Sequence, residues 1–156
     1  MKAGRARGFT LIELLVVMVI LGITLGLVSL NALPGQKQLV QQEAQRIALL
    51  LQTARDEAIV RNRQVAFEAD ADGYRFLIRN GRQWDVAVQD DLLRARQYKH
   101  GPLNLMLVPQ PNLQDGALRI VFGREPVDKP FVLTLAGSDG SSVAIHADGI
   151  GHFTVE

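Results

Sequence analysis

The residues Arg7-Gly8-Phe9-Thr10-Leu11-Ile12-Glu13 join a basic N-terminal segment to a long apolar one. After Glu13 no charged residue occurs before Lys37, and the residues from Leu14 to Leu30 are almost wholly aliphatic. A helix that spans a membrane needs about 20 mostly apolar residues, and this stretch supplies that length. We therefore predict a transmembrane helix over residues 9–33.

Basic residues flank this predicted helix on one side only. Lys2, Arg5 and Arg7 precede it, and the next basic residue is Lys37. Because the cytoplasmic flanks of membrane helices carry an excess of Lys and Arg, we expect a cytoplasmic N-terminus. The rest of the chain then lies outside the cytoplasm.

Glu13 is unusual for an ordinary anchor or signal peptide. A carboxylate costs about 2.5–3.5 kcal/mol at the centre of a membrane helix and less toward the interface, so it needs a headgroup position or a cationic partner. If the chain is cut between Gly8 and Phe9, the new α-amino group lies four residues before Glu13, one helical turn away. In an assembly, the carboxylate could instead contact the freed amine of a neighbouring chain.

A short basic leader that ends in Gly8, followed by Phe-Thr-Leu-Ile-Glu and an aliphatic helix, resembles the class III signal of type IV pilins and type II secretion pseudopilins. The resemblance implies that prepilin peptidase cuts after Gly8, that Phe9 becomes an N-methylated terminus, and that Glu13 serves assembly. The alternatives are a plain single-pass anchor and a removed secretory signal. Against the latter, the apolar run exceeds the usual length of about 7–15 residues and Glu13 interrupts its beginning.

Composition limits the part of the chain beyond the helix. The chain has 156 residues, so the part outside the membrane has room for one modest domain. Removal of the leader takes away three basic residues and lowers the formal charge from +1 to −2. No cysteine is present, so core packing must hold the domain together without disulfides.

Residues 38–64 have helical periodicity. Their apolar side chains recur at intervals of four and three, which places them on one stripe of a helix. The stripe consists of Val40, Ala44, Ile47, Leu51, Ala54 and Ala58. Leu50, Ile59 and Val60 widen it, and Pro34-Gly35 predicts a kink or break before it.

The arginines of this helix are interleaved with acidic residues, which favours a solvated face over a nucleic-acid site. They are Arg46, Arg55, Arg61 and Arg63.

Short apolar runs with aromatic and β-branched residues come next, separated by Gly, Asp, Asn and Pro, which predicts antiparallel strands. The predicted strands are 65–69, 74–79, 83–88, 103–108, 117–122, 131–135, 142–146 and 152–155. Turns at 70–73 and 80–81 make the first three a meander, and Asp139-Gly140 and Asp148-Gly149 predict two later hairpins. The residues from Asp90 to Leu93 predict the start of a helix or a 3₁₀ turn.

These elements predict an α+β, pilin-like fold, in which a long N-terminal helix packs on antiparallel β-sheets. The predicted organisation is a leader over 1–8, a transmembrane and assembly helix over 9–33, and a periplasmic domain over 34–156, with an amphipathic helix over 37–64 and β-sheets over 65–156. Loops at 109–112 and 124–130 are the best candidates for variable contact surface.

We expect no catalytic, cofactor-binding or metal site. No Gly-x-Ser-x-Gly motif occurs, and no pair among His100, His146 and His152 has metal-ligand spacing. His146 and His152 could face each other across a predicted hairpin, but a third ligand is missing. Asp70-x-Asp72-Gly73 resembles the start of a calcium loop without the rest of its ligand series, so a turn is favoured.

The run from Glu43 to Ile59, the meander after it and the closing Asp148-Gly149-Ile150-Gly151-His152-Phe153 resemble the H-type minor pseudopilin of type II secretion. The resemblance implies a low-copy subunit near the tip of a short periplasmic filament, which links other minor pseudopilins to the major one during export of folded proteins across the outer membrane. Its other implied partners are prepilin peptidase and the inner-membrane assembly platform. The implied location is the inner membrane, with one span and a periplasmic domain.

A minor type IV pilin, for pilus assembly or DNA uptake, is the alternative. Binding to a phosphate backbone requires Lys and Arg clustered on one accessible face, and no Lys or Arg occurs after Lys129. The candidate basic patch consists of Arg75, Arg79, Arg82, Arg94, Arg96 and Lys99. Nucleic-acid binding is therefore not favoured.

Overall fold

The computed structural model describes residues 9–30, 35–87, 91–110 and 117–156, with the side chains of residues 25–30 left out. The chain divides into two compact units at the boundary between residues 34 and 35. The first unit contains helix α1 (Leu11–Leu30), and the second contains helix α2 (Gln36–Val60) and the β-strands.

Helix α1 begins two residues after Phe9. The hydroxyl oxygen of Thr10 accepts a long hydrogen bond of 3.4 Å from the backbone N–H of Glu13, which is one of the unpaired donors of the first turn. Within the described residues, none of the helices combines the length and apolar character needed to cross a membrane. The predicted transmembrane helix over 9–33 extends onto residues outside that part, and it stays a prediction.

The predicted apolar stripe of α2 forms one side of the core. Its six members are all buried: Val40, Ala44, Ile47, Leu51, Ala54 and Ala58. Leu50 is buried as predicted, but Val60 is 80% exposed, so the stripe does not include the last residue of the helix. The predicted break before the helix is present at Gly35, which has an extended backbone, whereas Pro34 lies outside the described residues.

Helix α2 ends at Val60, four residues before its predicted end. Asn62 has a φ of 52°. The backbone N–H groups of Asn62 and Arg63 donate to the carbonyl oxygens of Ile59 at 3.2 Å and of Ala58 at 3.0 Å. This is a Schellman motif, and because Asn enters the left-handed region more readily than most side chains, Asn62 stops the helix there.

The strands form two antiparallel sheets. The strands are β1 (Val65–Ala69), β2 (Gly73–Asn80), β3 (Gln83–Val86), β4 (Arg96–Gln97), β5 (Asn104–Val108), β6 (Leu118–Phe122), β7 (Phe131–Ala136), β8 (Ser142–Ala147) and β9 (Phe153–Val155). Among the described residues, sheet A has the order β3-β2-β1-β6 with β4 paired to β2, and sheet B has the order β5-β7-β8-β9. The predicted meander is confirmed as β1, β2 and β3, and the two predicted hairpins are those of β7–β8 and β8–β9.

The core lies between α2 and the two sheets, because α2 packs mainly on β8, β9 and β1. Phe67 and Phe76 are paired in register across β1 and β2, and their ring centroids are 5.4 Å apart. Leu133 and Ile145 of sheet B are likewise fully buried. Packing of these apolar side chains therefore takes the place that disulfides hold in many small secreted domains.

The segment between β3 and β5 differs from the sequence prediction in two ways. The predicted helix start at 90–93 is wrong for Asp91 to Leu93, which form a turn, while residue 90 lies outside the described part. The guanidinium of Arg96 donates to the carbonyl oxygens of Asp91 at 3.2 Å and Leu92 at 3.3 Å, so a side chain satisfies acceptors that a helix would pair with its own backbone. Strand β4 was not predicted, because two polar residues carry no periodicity.

Candidate assembly site

Two of the three predicted site residues are described, and Gly8 lies outside the described residues. Phe9 is 75% exposed, and Glu13 lies in the first turn of α1, where the positive end of the helix dipole stabilises a carboxylate. In the uncut chain the first helical residue is Leu11, so Phe9 precedes the helix, and the predicted placement of its freed nitrogen one turn before Glu13 concerns the chain after cleavage. The roles predicted for these residues stay predictions.

Arg55 on α2 holds two loops of the second unit together. Its side chain is only 12% exposed. Its Nη2 donates to the carbonyl oxygen of Ile150 at 3.0 Å, and also to that of Pro126. Ile150 belongs to the loop between β8 and β9, and Pro126 to the loop between β6 and β7. The prediction that this arginine lies on a solvated helix face is therefore wrong, because the two loops cover its guanidinium.

The same two loops contact each other where two glycines leave space. The backbone N–H of Asp128 donates to the carbonyl oxygen of Gly149 at 2.7 Å. A Cβ at Gly149 would meet the carbonyl oxygen of Asp128, and one at Gly151 would lie 2.6 Å from Nη1 of Arg55. Both glycines also have positive φ values, 83° and 115°, which other residues rarely adopt. The loop after β8 is therefore shaped to fit beneath its neighbour.

Asp148 organises the β8–β9 loop from within. Its Oδ1 accepts hydrogen bonds from the backbone N–H groups of Ile150 at 2.8 Å and of Gly151 and His152 at 3.1 Å. Its Oδ2 lies 2.6 Å from Nδ1 of His152. Loss of hydration alone raises the pKa of Asp148, but the hydrogen bonds from His152 and the backbone outweigh it and lower the pKa to about 2. The carboxylate thus stays charged while it ties the loop together.

No metal centre is found in the described part of the chain, where no three His, Asp or Glu side chains converge. The two histidines that could have faced each other do not, because His152 contacts Asp148 and His146 lies 3.8 Å from Glu156. At the loop that resembles a calcium site, Oδ1 of Asp70 accepts bonds of 2.9 Å from the backbone of residues 72 and 73, as in a turn.

Glu68 on β1 is 5% exposed and lies between two arginines. Arg75 of β2 and Arg119 of β6 are its direct neighbours in register. Nε of Arg75 donates to Oε1 at 2.7 Å, and Nε of Arg119 donates to Oε2 at 2.9 Å. Burial raises the pKa of Glu68, but the hydrogen bonds and charges of both arginines outweigh it and hold the pKa below its usual range. Arg75, a member of the candidate basic patch for nucleic-acid binding, is therefore already paired with Glu68.

Two family models match this chain. The family described as type II transport protein GspH matches residues 43–151. The chain belongs to the GspH family. The prokaryotic N-terminal methylation motif matches residues 4–29, which take in most of the basic leader and nearly all of the first helix.

Relatives and solved structures agree with that membership. The type II secretion system protein H of Pseudomonas aeruginosa (strain PAO1) is 29% identical over an alignment of 163 positions, gaps included, that covers 92% of each chain. The minor pseudopilin EpsH of the Vibrio cholerae type 2 secretion system has a TM-score of 0.59 at 18% identity, covering 75% of this chain and 95% of that one. E. coli GspH in solution has a TM-score of 0.59 at 16% identity, covering 78% and 93%.

These findings confirm the pilin-like α+β fold and the resemblance to the H-type minor pseudopilins of type II secretion. The GspH family and the methylation motif together indicate a membrane-anchored protein with a periplasmic domain. They also indicate a protein that assembles with other pseudopilins and the secretion machinery.

Proposed function

We propose that this GspH-family chain is a low-copy subunit near the tip of the type II secretion pseudopilus. There it links the other minor pseudopilins to the major one during export of folded proteins across the outer membrane. The observation that carries the proposal is the presence, in one chain, of a methylation motif over residues 4–29 and a GspH-type domain over 43–151.

Processing of the N-terminus is the first step of this function. Prepilin peptidase cuts after Gly8, and the new terminus at Phe9 is methylated. The mature chain spans the inner membrane once with a cytoplasmic N-terminus, an orientation that the basic residues before α1 support. Glu13 then docks on the amine of a neighbouring subunit at the assembly platform, since a carboxylate near hydrocarbon requires a cationic partner.

The domain acts as a structural subunit and not as an enzyme, without a cofactor. Three of its ionisable groups support this role, because each has a structural partner. Glu68 joins three strands through two arginines, and Asp148 shapes a loop. Arg55 clamps that loop to its neighbour.

Mass spectrometry of the protein recovered from cells tests the processing step. We expect an N-terminus at methylated Phe9, and any other terminus contradicts the assignment. Co-purification of the full-length chain in detergent with each of the other pseudopilins tests the position in the filament. We expect the chain to retain another minor pseudopilin and the major one, and retention of neither would contradict a linking role.

A further inference from the structure

The central strand of sheet A is buried on both of its faces. Phe67 of β1 faces the core, whereas Ala66 and Glu68 alternate to the other side and are 0% and 5% exposed. Ala66 and its neighbour Leu77, which is 4% exposed, are buried outside the main hydrophobic cluster. Something other than α2 therefore covers this outer face of the sheet.

The cover is Trp84, the single tryptophan of the chain. Its ring centroid lies 5.4 Å from the guanidinium carbon of Arg79 and 5.9 Å from that of Arg119. Trp84 belongs to β3, and Arg119 belongs to β6 at the other side of β2 and β1. The indole must therefore lie above those two middle strands, where it covers Ala66 and Leu77.

An apolar row crosses the sheet beneath the indole. The register places Val121, Ala66, Leu77 and Val86 side by side on β6, β1, β2 and β3. The two middle residues are buried, and the two end residues are each 41% exposed. We call the outer surface formed by Trp84, Arg79, Arg119, Val86 and Val121 the Trp84 platform. It presents a half-exposed aromatic ring between two cations, with an exposed valine at each end.

The side chains of the Trp84 platform are held in place by their neighbours before any partner binds. Trp and Arg are the residue types most enriched where a few side chains supply most of the binding energy of an interface. Here the Trp84 ring is held between two arginines, and Arg119 is held by Glu68. A side chain that is already fixed loses little conformational freedom when a partner binds.

The charge of the surface selects the partner. Arg75, Arg79 and Arg119 face this side, and Glu68, the acidic residue among them, is buried. A partner therefore meets positive charge around an apolar centre. Two copies of the chain placed face to face would oppose the same arginines, which disfavours self-association. A nucleic acid would find Arg75 and Arg119 already paired with a carboxylate.

We propose that the Trp84 platform docks a partner protein whose surface presents carboxylates around an apolar side chain. Such a partner pairs mainly with Arg79, since Arg75 and Arg119 already hold Glu68, and it buries the exposed valines and the indole. That this partner is another pseudopilin rests on the proposed function. The platform itself lies within the GspH-type domain, in a different unit of the chain from the processing site.

The test uses the full-length chain in detergent, titrated with each purified pseudopilin of the same secretion system. Arg79→Glu reverses one exposed charge of the platform, and Val121→Glu adds a carboxylate at its far end. Lys99→Glu makes the same change of charge as Arg79→Glu at an exposed position outside the platform. Thermal melting followed by circular dichroism shows whether each variant keeps its fold.

We expect both platform variants to weaken binding to one pseudopilin by about tenfold or more, and Lys99→Glu to leave it unchanged. Equal binding by all variants would show that the subunits assemble through another surface, so the docking inference would fail while the proposed function stands. Binding of no pseudopilin by the unmodified chain would contradict both. Retention of a duplex DNA oligonucleotide at low salt, lost in Arg79→Glu, would make the platform a nucleic-acid site and overturn the inference.

Discussion

The guanidinium of Arg55 donates a hydrogen bond of 3.0 Å to the carbonyl oxygen of Ile150, 95 residues further along the chain. The same nitrogen also bonds the carbonyl of Pro126. One side chain of α2 thus sets the positions of two loops that leave different strands of the sheets. The loop over residues 124–130, which we expect to be variable contact surface, is therefore anchored at Pro126 as well as at Asp128, which bonds Gly149.

Replacement of Arg55 by Met should lower the free energy of unfolding by about 1.5–3 kcal/mol, because two covered carbonyls lose a charged donor. Chemical denaturation of the full-length chain in detergent measures this change. Arg61→Met is the matched control. Arg61 is 58% exposed and pairs with Glu57 on the same helix, so its loss should change stability by less than about 0.5 kcal/mol. Equal effects of the two changes would contradict the clamp.

Replacement of Glu68 by Gln should destabilise the domain at neutral pH by about 1.5–3 kcal/mol, because two arginines lose their buried counter-charge. The pKa of Glu68 is lowered by folding, so its contribution is present above the unfolded value of about 4.3. It is lost as the pH falls through the lower folded value. Thermal melting against pH should therefore show the wild type and Glu68→Gln converging in acid. A constant difference across the whole range would contradict the assignment.

Asp148→Asn should loosen the β8–β9 loop, because it removes the negative charge that strengthens the hydrogen bonds to the side chain and replaces the oxygen facing His152 with an NH2 group. The folded pKa of about 2 lies below the unfolded value of about 3.9, so the carboxylate stabilises the fold above about pH 4. Its contribution disappears as the pH falls toward 2. Hydrogen exchange of the Ile150 and Gly151 amides should be faster in Asp148→Asn at neutral pH. Equal exchange rates in the two proteins would show that other contacts hold the loop.

Glu13→Ala should leave the melting temperature of the GspH-type domain unchanged while it weakens incorporation into the filament. The reason is that the proposed partner of this carboxylate is a neighbouring subunit. Co-purification with filament subunits measures incorporation. Asp72→Ala removes one carboxylate from the exposed turn between β1 and β2, outside the predicted contact loops, and serves as control. Unaltered co-purification of the Glu13 variant would remove the docking role.

Gly8→Ile should block removal of the leader, because the peptidase must approach the backbone closely at the cleavage site. The size of the protein in membranes, measured by mass spectrometry, distinguishes the two forms. We expect the variant to retain residues 1–8, and normal processing would count against cleavage after Gly8.

The regular parts of this fold were predictable from the sequence, because burial and turn chemistry leave local patterns. The stripe from Val40 to Ala58 repeats with the helical period, and the strands after it are short apolar runs bounded by turn residues. The end of α2 depends instead on a left-handed Asn62, a preference too weak to mark a boundary alone.

The contacts that shape the candidate surfaces were not predictable. Arginine is usually exposed to solvent, and Arg55 is buried only because two loops distant in the sequence pack over it. Glu68 is buried because the register aligns it with Arg75 and Arg119, and its pair with Arg119 joins residues 51 apart. Pairings at such separations depend on strand order, which local periodicity does not encode.

The apolar stripe of α2 remains incompletely covered while the protein is being synthesised, because β8 and β9 are made last. The apolar stripe ends at Ala58, whereas β8, one of the strands that cover it, begins only at Ser142. Until residues 142–155 are synthesised, β1 is the only one of the three main packing partners of α2 in place, so much of the apolar stripe stays exposed to water. Because exposed apolar surface favours aggregation, we expect this subunit to depend on a holding chaperone until its last strands are made.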